Sequence, residues 1–178
     1  MDAPAPLAPP ALLSAEDVAR CVDDLAVRIA PAVDDDTIAV VLLTGGLWFA
    51  ADLTRSLARL GRQLKFDALW LASYGDAHAS SGRCQVRAGL QRPVSGSKVL
   101  LIDDVFDSGL SLLEGRRHIV EAGAAQVLSA VFARKPWPTP REAEPEFVAW
   151  EAPARYLVGY GMDSAGAWRG LPYIGAMD

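Results

Sequence analysis

The sequence has few of the residues that bind metals or form disulfides, with two cysteines and two histidines among 178 residues. Cys21 and Cys84 are far apart and match no metal-binding or redox spacing, so we expect both to be reduced thiols. The two histidines are His78 and His118, which are too few for a histidine-rich metal site.

Long apolar runs and an excess of basic residues are also missing. No run approaches the roughly 20 residues that span a bilayer, and the proline-rich start lacks the basic region of a signal peptide. The formal net charge of −5 argues against a protein that coats nucleic acid or an anionic membrane. We therefore expect a cytoplasmic globular protein that has neither nucleic acid nor a membrane as a partner.

Three common catalytic signatures are absent as well. The sequence contains no G-x-x-x-x-G-K-[ST] phosphate loop, no G-x-G-x-x-G dinucleotide motif and no G-x-S-x-G nucleophile elbow. These absences exclude the common nucleotide-hydrolysing, dinucleotide-binding and serine-hydrolase interpretations.

The sequence does contain buried strands that alternate with helices. Helical periodicity and end signals predict helices at 14–30, 47–60 and 110–122. Apolar runs predict strands at 37–43, 65–73, 98–102, 126–133, 146–150 and 156–159, with a short antiparallel pairing within 85–94. This order predicts an α/β fold with a mostly parallel twisted sheet flanked by helices. Residues 1–13 are predicted to be a disordered lead-in, and residues 14–178 to form a single domain.

Ligands of an open parallel sheet bind beyond the carboxyl ends of its strands. Asp103 and Asp104 follow one such strand, and the small residues Ser108 and Gly109 precede a helix. Backbone N–H groups at a helix N-terminus can surround a phosphate, whereas paired carboxylates suit hydroxyl groups or Mg²⁺. The segment therefore predicts a ligand with a phosphate and a nearby diol, such as a sugar phosphate. Two solvated carboxylates without a function are the alternative interpretation.

Residues 99–112, VLLIDDVFDSGLSL, resemble the phosphoribosyl pyrophosphate signature of type I phosphoribosyltransferases. Three further segments are similar to the hypoxanthine-guanine branch of that family: VLLTGGLWFAADLTRSL, LASYGDAHASSG and YLVGYGMDSAGAWRGLPYIG. The four motifs stand in the family's order between residues 37 and 175. The resemblance implies the type I phosphoribosyltransferase fold, with a core at about 37–135. A small hood would form from about 146–175 and the N-terminal helix.

The resemblance also implies an activity. The 5-phosphoribosyl group of phosphoribosyl pyrophosphate would move to N9 of a 6-oxopurine, hypoxanthine or guanine, giving IMP or GMP and pyrophosphate. The family requires Mg²⁺, passes through an oxocarbenium-like transition state and typically forms homodimers or homotetramers. We expect the same of this chain.

Positions that match the family's motifs take their roles from the resemblance. Asp107 would be the general base, and Ser73 and Tyr74 would begin a loop that closes over the site. The phosphoribosyl group would be held by Asp103, Asp104, Ser108, Gly109, Leu110 and Ser111. Pyrophosphate would be bound by Thr44, Gly45 and Arg169, and the purine by Lys135, Tyr156, Leu157 and Asp163. The Mg²⁺ ligands would be Asp103, Asp104 and Asp163, and Lys135 would donate to the purine 6-oxo group.

The sequence departs from the family pattern at a few positions. Thr44 stands where the family usually has a lysine, so the charge of that lysine is missing. Asp103 replaces a usual glutamate, Ser108 replaces a usual threonine, and residues 136–144 have no match that we can interpret. Two alternatives stay open: a transferase that prefers xanthine, and a regulator of this fold that senses phosphoribosyl pyrophosphate or nucleotides. The regulator would bind nucleic acid through a basic helix face at Arg55, Arg59 and Arg62.

Overall fold

A large and a small β-sheet organise the chain in the computed structural model, which describes residues 8–72 and 85–177. In chain order the elements are β1 (Ala11–Leu13), α1 (Ala15–Ile29), β2 (Ile38–Leu43), α2 (Leu47–Arg59), β3 (Lys65–Ala72), β4 (Gln85–Ala88), β5 (Lys98–Phe106), α3 (Leu110–Glu121), β6 (Gln126–Arg134), β7 (Phe147–Glu151), β8 (Tyr156–Val158) and β9 (Ile174–Met177).

The large sheet has the strand order β4-β3-β2-β5-β6-β7 and is parallel except for β4, which runs antiparallel to β3. The predicted mostly parallel sheet is confirmed. The short antiparallel pairing expected within 85–94 takes a different form, because β4 pairs with β3 and not with a second strand of that segment. The predicted start of the hood at residue 146 is wrong. The hood segment 146–175 was predicted to include β7. This strand is instead an edge strand of the large sheet, paired with β6.

Helices cover both faces of the large sheet. The α1 helix begins as predicted, since the Ser14 Oγ accepts a hydrogen bond of 3.1 Å from the Asp17 N–H. On one face α1 and α2 pack with Leu100 and Phe132, and on the other α3 packs with Leu101. Neighbouring residues of one strand thus pack on opposite faces of the large sheet, as expected for buried parallel strands. No helix in the described ranges is both long enough and apolar enough to cross a membrane.

The small sheet forms from the two ends of the chain, in the antiparallel order β1-β9-β8. We call this small sheet, together with the connection 159–173 between β8 and β9, the hood. A hood built by the chain ends was predicted with α1 as part of it, but α1 packs mainly against α2 and β7 on the large sheet. The predicted boundary of the disordered lead-in at residue 13 is also wrong. Ala11 pairs with Gly175 and Leu13 with Ile174. The Tyr173 hydroxyl also donates to the Pro9 carbonyl oxygen at 3.0 Å. The short apolar segment ALL is ordered because it covers the edge of β9.

The strand that carries the acidic pair is longer than predicted. It was expected to end at Ile102, but β5 continues to Phe106. Its parallel pairing with β6 persists along this extension, with Asp103 opposite Val131 and Phe106 opposite Arg134. Asp103 and Asp104 therefore lie on a rigid strand, and the turn before α3 begins only after Phe106.

Candidate active site

Two buried acids lie at the carboxyl end of β5. Asp103 is 8% and Asp104 is 9% exposed to solvent. Burial raises the pKa of both carboxyl groups, and the adjacent Asp104 raises that of Asp103 further. The guanidinium of Arg169 acts in the opposite direction on the pKa of Asp104. Two carboxyl groups held this way suit a ligand that brings hydroxyl groups or positive charge.

The turn after β5 leads into the N-terminus of α3. Gly109 precedes the helix with a φ of +85°, a conformation that L side chains rarely adopt. A Cβ there would also lie 2.9 Å from the Phe106 ring. The Ser108 hydroxyl accepts a long hydrogen bond of 3.4 Å from the Leu110 N–H. The first turn of a helix presents N–H groups that have no partner within the helix, so this turn is suited to an anion.

An ion pair lies beside the acidic strand end. The Lys135 Nζ lies 2.7 Å from Asp107 Oδ2, although the residues are 28 positions apart. The backbone N–H of Lys135 also bonds to the Phe106 carbonyl at 3.0 Å, which joins the ends of β5 and β6. Both residues line a cavity of about 200 Å³ together with Asp104, Val105, Tyr156, Leu157, Met162 and Asp163. The cavity therefore combines charged groups with one aromatic and several apolar side chains.

The turn after β2 approaches the acidic pair from the other side. A Cβ built on Gly45 would lie 2.0 Å from Asp104 Oδ2. Gly161, with a φ of +101°, stands against this turn, and its Cβ would lie 2.0 Å from the Gly45 carbonyl oxygen. Two glycines thus allow the β2–α2 turn to fit between Asp104 and the hood.

Arg169 and Asp163 join in a second cleft next to the cavity. Their side chains form an ion pair of 2.6 Å. Arg169 Nη1 also donates to the Gly161 carbonyl at 2.5 Å, and Asp163 Oδ2 accepts the Gly166 N–H at 2.6 Å. The cleft has a volume of about 360 Å³, and its lining includes Gly45, Asp103, Asp104, Ser111, Asp163 and Arg169. Asp104 and Asp163 line both spaces, so the two spaces adjoin at these residues.

Most of the predicted site residues lie around these two spaces. Thr44 stands beside Gly45 in the β2–α2 turn, after a cis peptide bond between Leu43 and Thr44. Leu110 starts α3 and is 51% exposed, and Tyr156 is 53% exposed on the hood, with its hydroxyl donating to the Asp163 carbonyl at 3.0 Å. Ser73 and Tyr74 lie outside the described residues.

The structure adds residues that the sequence did not single out. Met162, 4% exposed, forms part of the cavity wall, and Gly161 permits the close approach of the hood. Both lie in the segment YGMD, which the resemblance covered without giving these positions a role. Arg141 packs behind the Asp107–Lys135 pair. It lies in the segment 136–144 that had no interpretable match.

The family model for the phosphoribosyl transferase domain matches residues 11–164. The chain belongs to the phosphoribosyltransferase family. The hypoxanthine-guanine phosphoribosyltransferase of Bacillus subtilis is 32% identical to it over 171 residues, 93% of this chain and 91% of the relative. The Aquifex aeolicus protein of the same name is 32% identical over 165 residues, 92% and 91% of the two chains.

Solved phosphoribosyltransferase structures agree with this assignment. A hypoxanthine phosphoribosyltransferase from Staphylococcus aureus superposes with a TM-score of 0.86 at 25% identity, covering 95% of this chain and 91% of that one. A hypoxanthine-guanine phosphoribosyltransferase from Bacillus anthracis gives 0.85 at 27% identity, covering 95% and 98%. The predicted family, its hypoxanthine-guanine branch, the type I fold and the prediction of an enzyme are confirmed.

Proposed function

We propose that this phosphoribosyltransferase moves the 5-phosphoribosyl group of phosphoribosyl pyrophosphate to N9 of a 6-oxopurine, hypoxanthine or guanine. IMP or GMP and pyrophosphate would be released, as part of purine salvage. The observation that carries the proposal is the 2.7 Å Lys135–Asp107 pair in a cavity that adjoins the buried acids of β5. A base-sized space with a donor and a proton acceptor thus lies against a site suited to a sugar phosphate.

The sugar phosphate would occupy the end of β5 and the start of α3. Asp103 and Asp104 would hold the ribose hydroxyls, since buried carboxyl groups need partners of this kind. Ser108, Gly109, Leu110 and Ser111 would hold the 5′-phosphate through backbone N–H groups and two hydroxyls. Positive charge develops on the ribose as pyrophosphate departs, and the nearby acids would stabilise it.

The acidic pair also fits Mg²⁺. Among residues 8–72 and 85–177, no group of three or more potential ligand side chains could hold a metal alone. Mg²⁺ commonly binds through one or two carboxylates together with substrate oxygens and water, which matches Asp103 and Asp104. Asp163 would join them, although its carboxylate now pairs with Arg169 and the Gly166 N–H. When bound, Mg²⁺ would neutralise charge on the leaving pyrophosphate.

The purine would lie in the smaller cavity. The Lys135 ammonium has three donor hydrogens, so it can keep its contact with Asp107 while it donates to the 6-oxo group. The Asp107 carboxylate would accept the proton that N9 loses during attack. Tyr156 would stack on the base, and Leu157 and Asp163 would contact its edge.

Pyrophosphate would lie in the larger cleft. Arg169 supplies positive charge there, and the turn at Thr44 and Gly45 offers backbone groups close to Asp104. Because Thr44 brings no charge, Arg169 would carry more of the pyrophosphate interaction than it does in relatives with a lysine.

The regulatory alternative receives no support from Arg55, Arg59 and Arg62, since α2 ends at Arg59 and Arg62 lies beyond it. Arg55 pairs with Asp52 at 2.9 Å, and Arg59 pairs with Asp23 at 2.6 Å. Arg62 Nε donates to the Ala30 carbonyl at 2.9 Å. These arginines already have partners within the chain.

We expect a cytoplasmic homodimer or homotetramer. Light scattering on the purified protein would measure the number of subunits.

A product assay tests the proposed function. Purified protein would receive phosphoribosyl pyrophosphate, Mg²⁺ and hypoxanthine, guanine, xanthine or adenine separately, and nucleotide and pyrophosphate would be separated by chromatography. IMP or GMP formed with equimolar pyrophosphate is the expected result. Faster product formation from xanthine would support the xanthine alternative, and no product from any base would contradict the proposal.

A further inference from the structure

Arg141 is a buried arginine in the connection between β6 and β7. Only 8% of its side chain is exposed, although the surrounding segment is rich in prolines and mostly exposed. Burial of an arginine is costly unless its donors are satisfied, so its partners indicate what it does.

Each nitrogen of the Arg141 side chain has a partner. Nε donates to the Asp107 carbonyl oxygen at 2.7 Å, and Nη2 donates to the Lys135 carbonyl oxygen. Nη1 pairs with Glu144 Oε1 at 3.1 Å. The guanidinium lies 4.4 Å from the centre of the Phe106 ring. One side chain thus joins the backbones of two residues that are distant in sequence.

Those two residues are the pair that faces the base cavity. Arg141 does not line that cavity but lies behind it, in a recess that also contacts Arg134, Pro136 and Glu144. It holds the main chain of Asp107 and Lys135 from one side while their side chains meet at 2.7 Å on the other. The arginine therefore links the two main-chain segments that carry these side chains.

We propose that Arg141 is a positioning residue that sets the spacing of Asp107 and Lys135, and through it the selectivity for a 6-oxo over a 6-amino purine. This inference rests on the proposed function of that pair. Lys135 distinguishes the two bases only if its ammonium is held at the 6-position, because a mobile donor can turn away from an amino group.

The geometry requires an arginine at this position. The planar guanidinium presents several donors in a fixed fork, whereas a lysine ammonium is a single point that cannot span both carbonyls and Glu144. The flat group also stacks on Phe106, which in turn lies against Gly109. A substitution that keeps the charge but removes the fork therefore tests the positioning role.

Equilibrium binding of three probes separates positioning from a general effect on folding. Dissociation constants for IMP, AMP and ribose 5-phosphate would be measured by calorimetry on wild type, Arg141→Lys, Arg141→Met and Lys135→Ala. Arg117→Lys is the matched control, because the Arg117 side chain is exposed on α3 and pairs there with Glu114 and Glu121. Thermal unfolding of each variant would verify folding.

Both Arg141 variants should lower the AMP-to-IMP ratio of dissociation constants by about tenfold or more, the same result that we expect for Lys135→Ala. Affinity for ribose 5-phosphate should stay within about threefold of wild type, and Arg117→Lys should change none of the three constants. This pattern would support the inference.

Other outcomes would overturn it in distinguishable ways. If Lys135→Ala lowers the ratio and the Arg141 variants do not, the positioning role is wrong and the proposed function stands. Equal weakening of all three probes by the Arg141 variants would show a merely structural role. If Lys135→Ala also keeps the ratio, the proposed role of Lys135 is wrong and the inference fails with it.

Discussion

At the scale of single residues, Asp103 and Asp104 show a conflict between stability and binding. Their burial raises the pKa of both carboxyl groups above the ordinary value. A raised pKa means that the folded state holds protons more tightly than the unfolded chain. The free energy of unfolding therefore falls as pH rises from about 4, the ordinary value, through the raised value. At neutral pH the acid pair costs stability that a bound cation or diol would restore.

Asp103→Asn should consequently stabilise the free protein at pH 7 by about 1 kcal/mol while weakening ribose 5-phosphate binding. The amide oxygen can still accept the Asp104 N–H, now bonded at 3.0 Å, so the geometry is retained. Urea unfolding at pH 7 and pH 4 would measure the effect, and the gain should shrink at the lower pH.

Asp67→Asn provides the matched control. Asp67 is also buried, but its carboxylate accepts backbone N–H groups from Ala68, Gln91 and Arg92. An amide nitrogen cannot accept these bonds, so this variant should lose about 2 kcal/mol of stability. Equal destabilisation by both substitutions would contradict the conclusion that the Asp103 carboxyl group costs the free protein stability.

At the scale of elements, three segments meet without room for a Cβ atom. Gly45 lies against Asp104, and Gly161 lies against Gly45. This contact joins the end of β5, the β2–α2 turn and the hood. It places the proposed pyrophosphate turn against the proposed ribose site.

Gly45→Ala should therefore displace the turn or the Asp104 carboxylate. We expect binding of phosphoribosyl pyrophosphate to weaken by about tenfold or more, because a misplaced group is costly in a preorganised site. Gly170→Ala is the control, since its Cβ would meet nothing within 4 Å. Calorimetric titration of both variants would measure the difference, and unchanged affinity in Gly45→Ala would show that the contact does not position the ligand.

The elements that the sequence predicted best have strong local patterns. The α1 helix combines a serine cap with an apolar face, and β2 is a β-branched apolar run, so both were close to their observed bounds. The β1 and β9 strands have three and four residues and are stabilised by pairing with each other across the chain. Similarly, the length of β5 depends on its register with β6. Pairing between segments that are far apart in the sequence produces no local sequence pattern, so these strands and the full length of β5 could not be predicted.

At the scale of the whole molecule, the chain ends complete the site. The hood strand β8 carries Tyr156 and Leu157 over the base cavity, and β9 joins it to β1. The N-terminal segment therefore supports the base side of the site although it lies far from it in sequence.

Removal of residues 1–13 should uncover the edge of β9 and remove the Tyr173–Pro9 hydrogen bond. We expect a lower midpoint of thermal unfolding and weaker IMP binding, because β9 would lose its backbone pairing with β1 and its edge would be left unpaired. Removal of residues 1–7 alone is the control, because it leaves β1 and Pro9 in place. Identical behaviour of the two truncations would contradict a supporting role for β1.

The site was predictable where chemistry follows directly after a strand. Asp103, Asp104 and the small residues before α3 were singled out from the local sequence, and the roles of Lys135 and Asp107 came from family resemblance. Arg141 could not be found this way, because its function depends on contacts 34 and 6 residues away. Met162 also becomes part of the cavity only after the hood folds.

The central claim is that base and sugar phosphate meet beside Asp107. The single-turnover rate of IMP formation from hypoxanthine by Asp107→Asn, compared with wild type, tests it most directly. An asparagine keeps the size of the side chain but cannot accept the N9 proton. The rate should therefore fall by about a hundredfold or more, while ribose 5-phosphate affinity remains nearly that of wild type. An unchanged rate would contradict the claim.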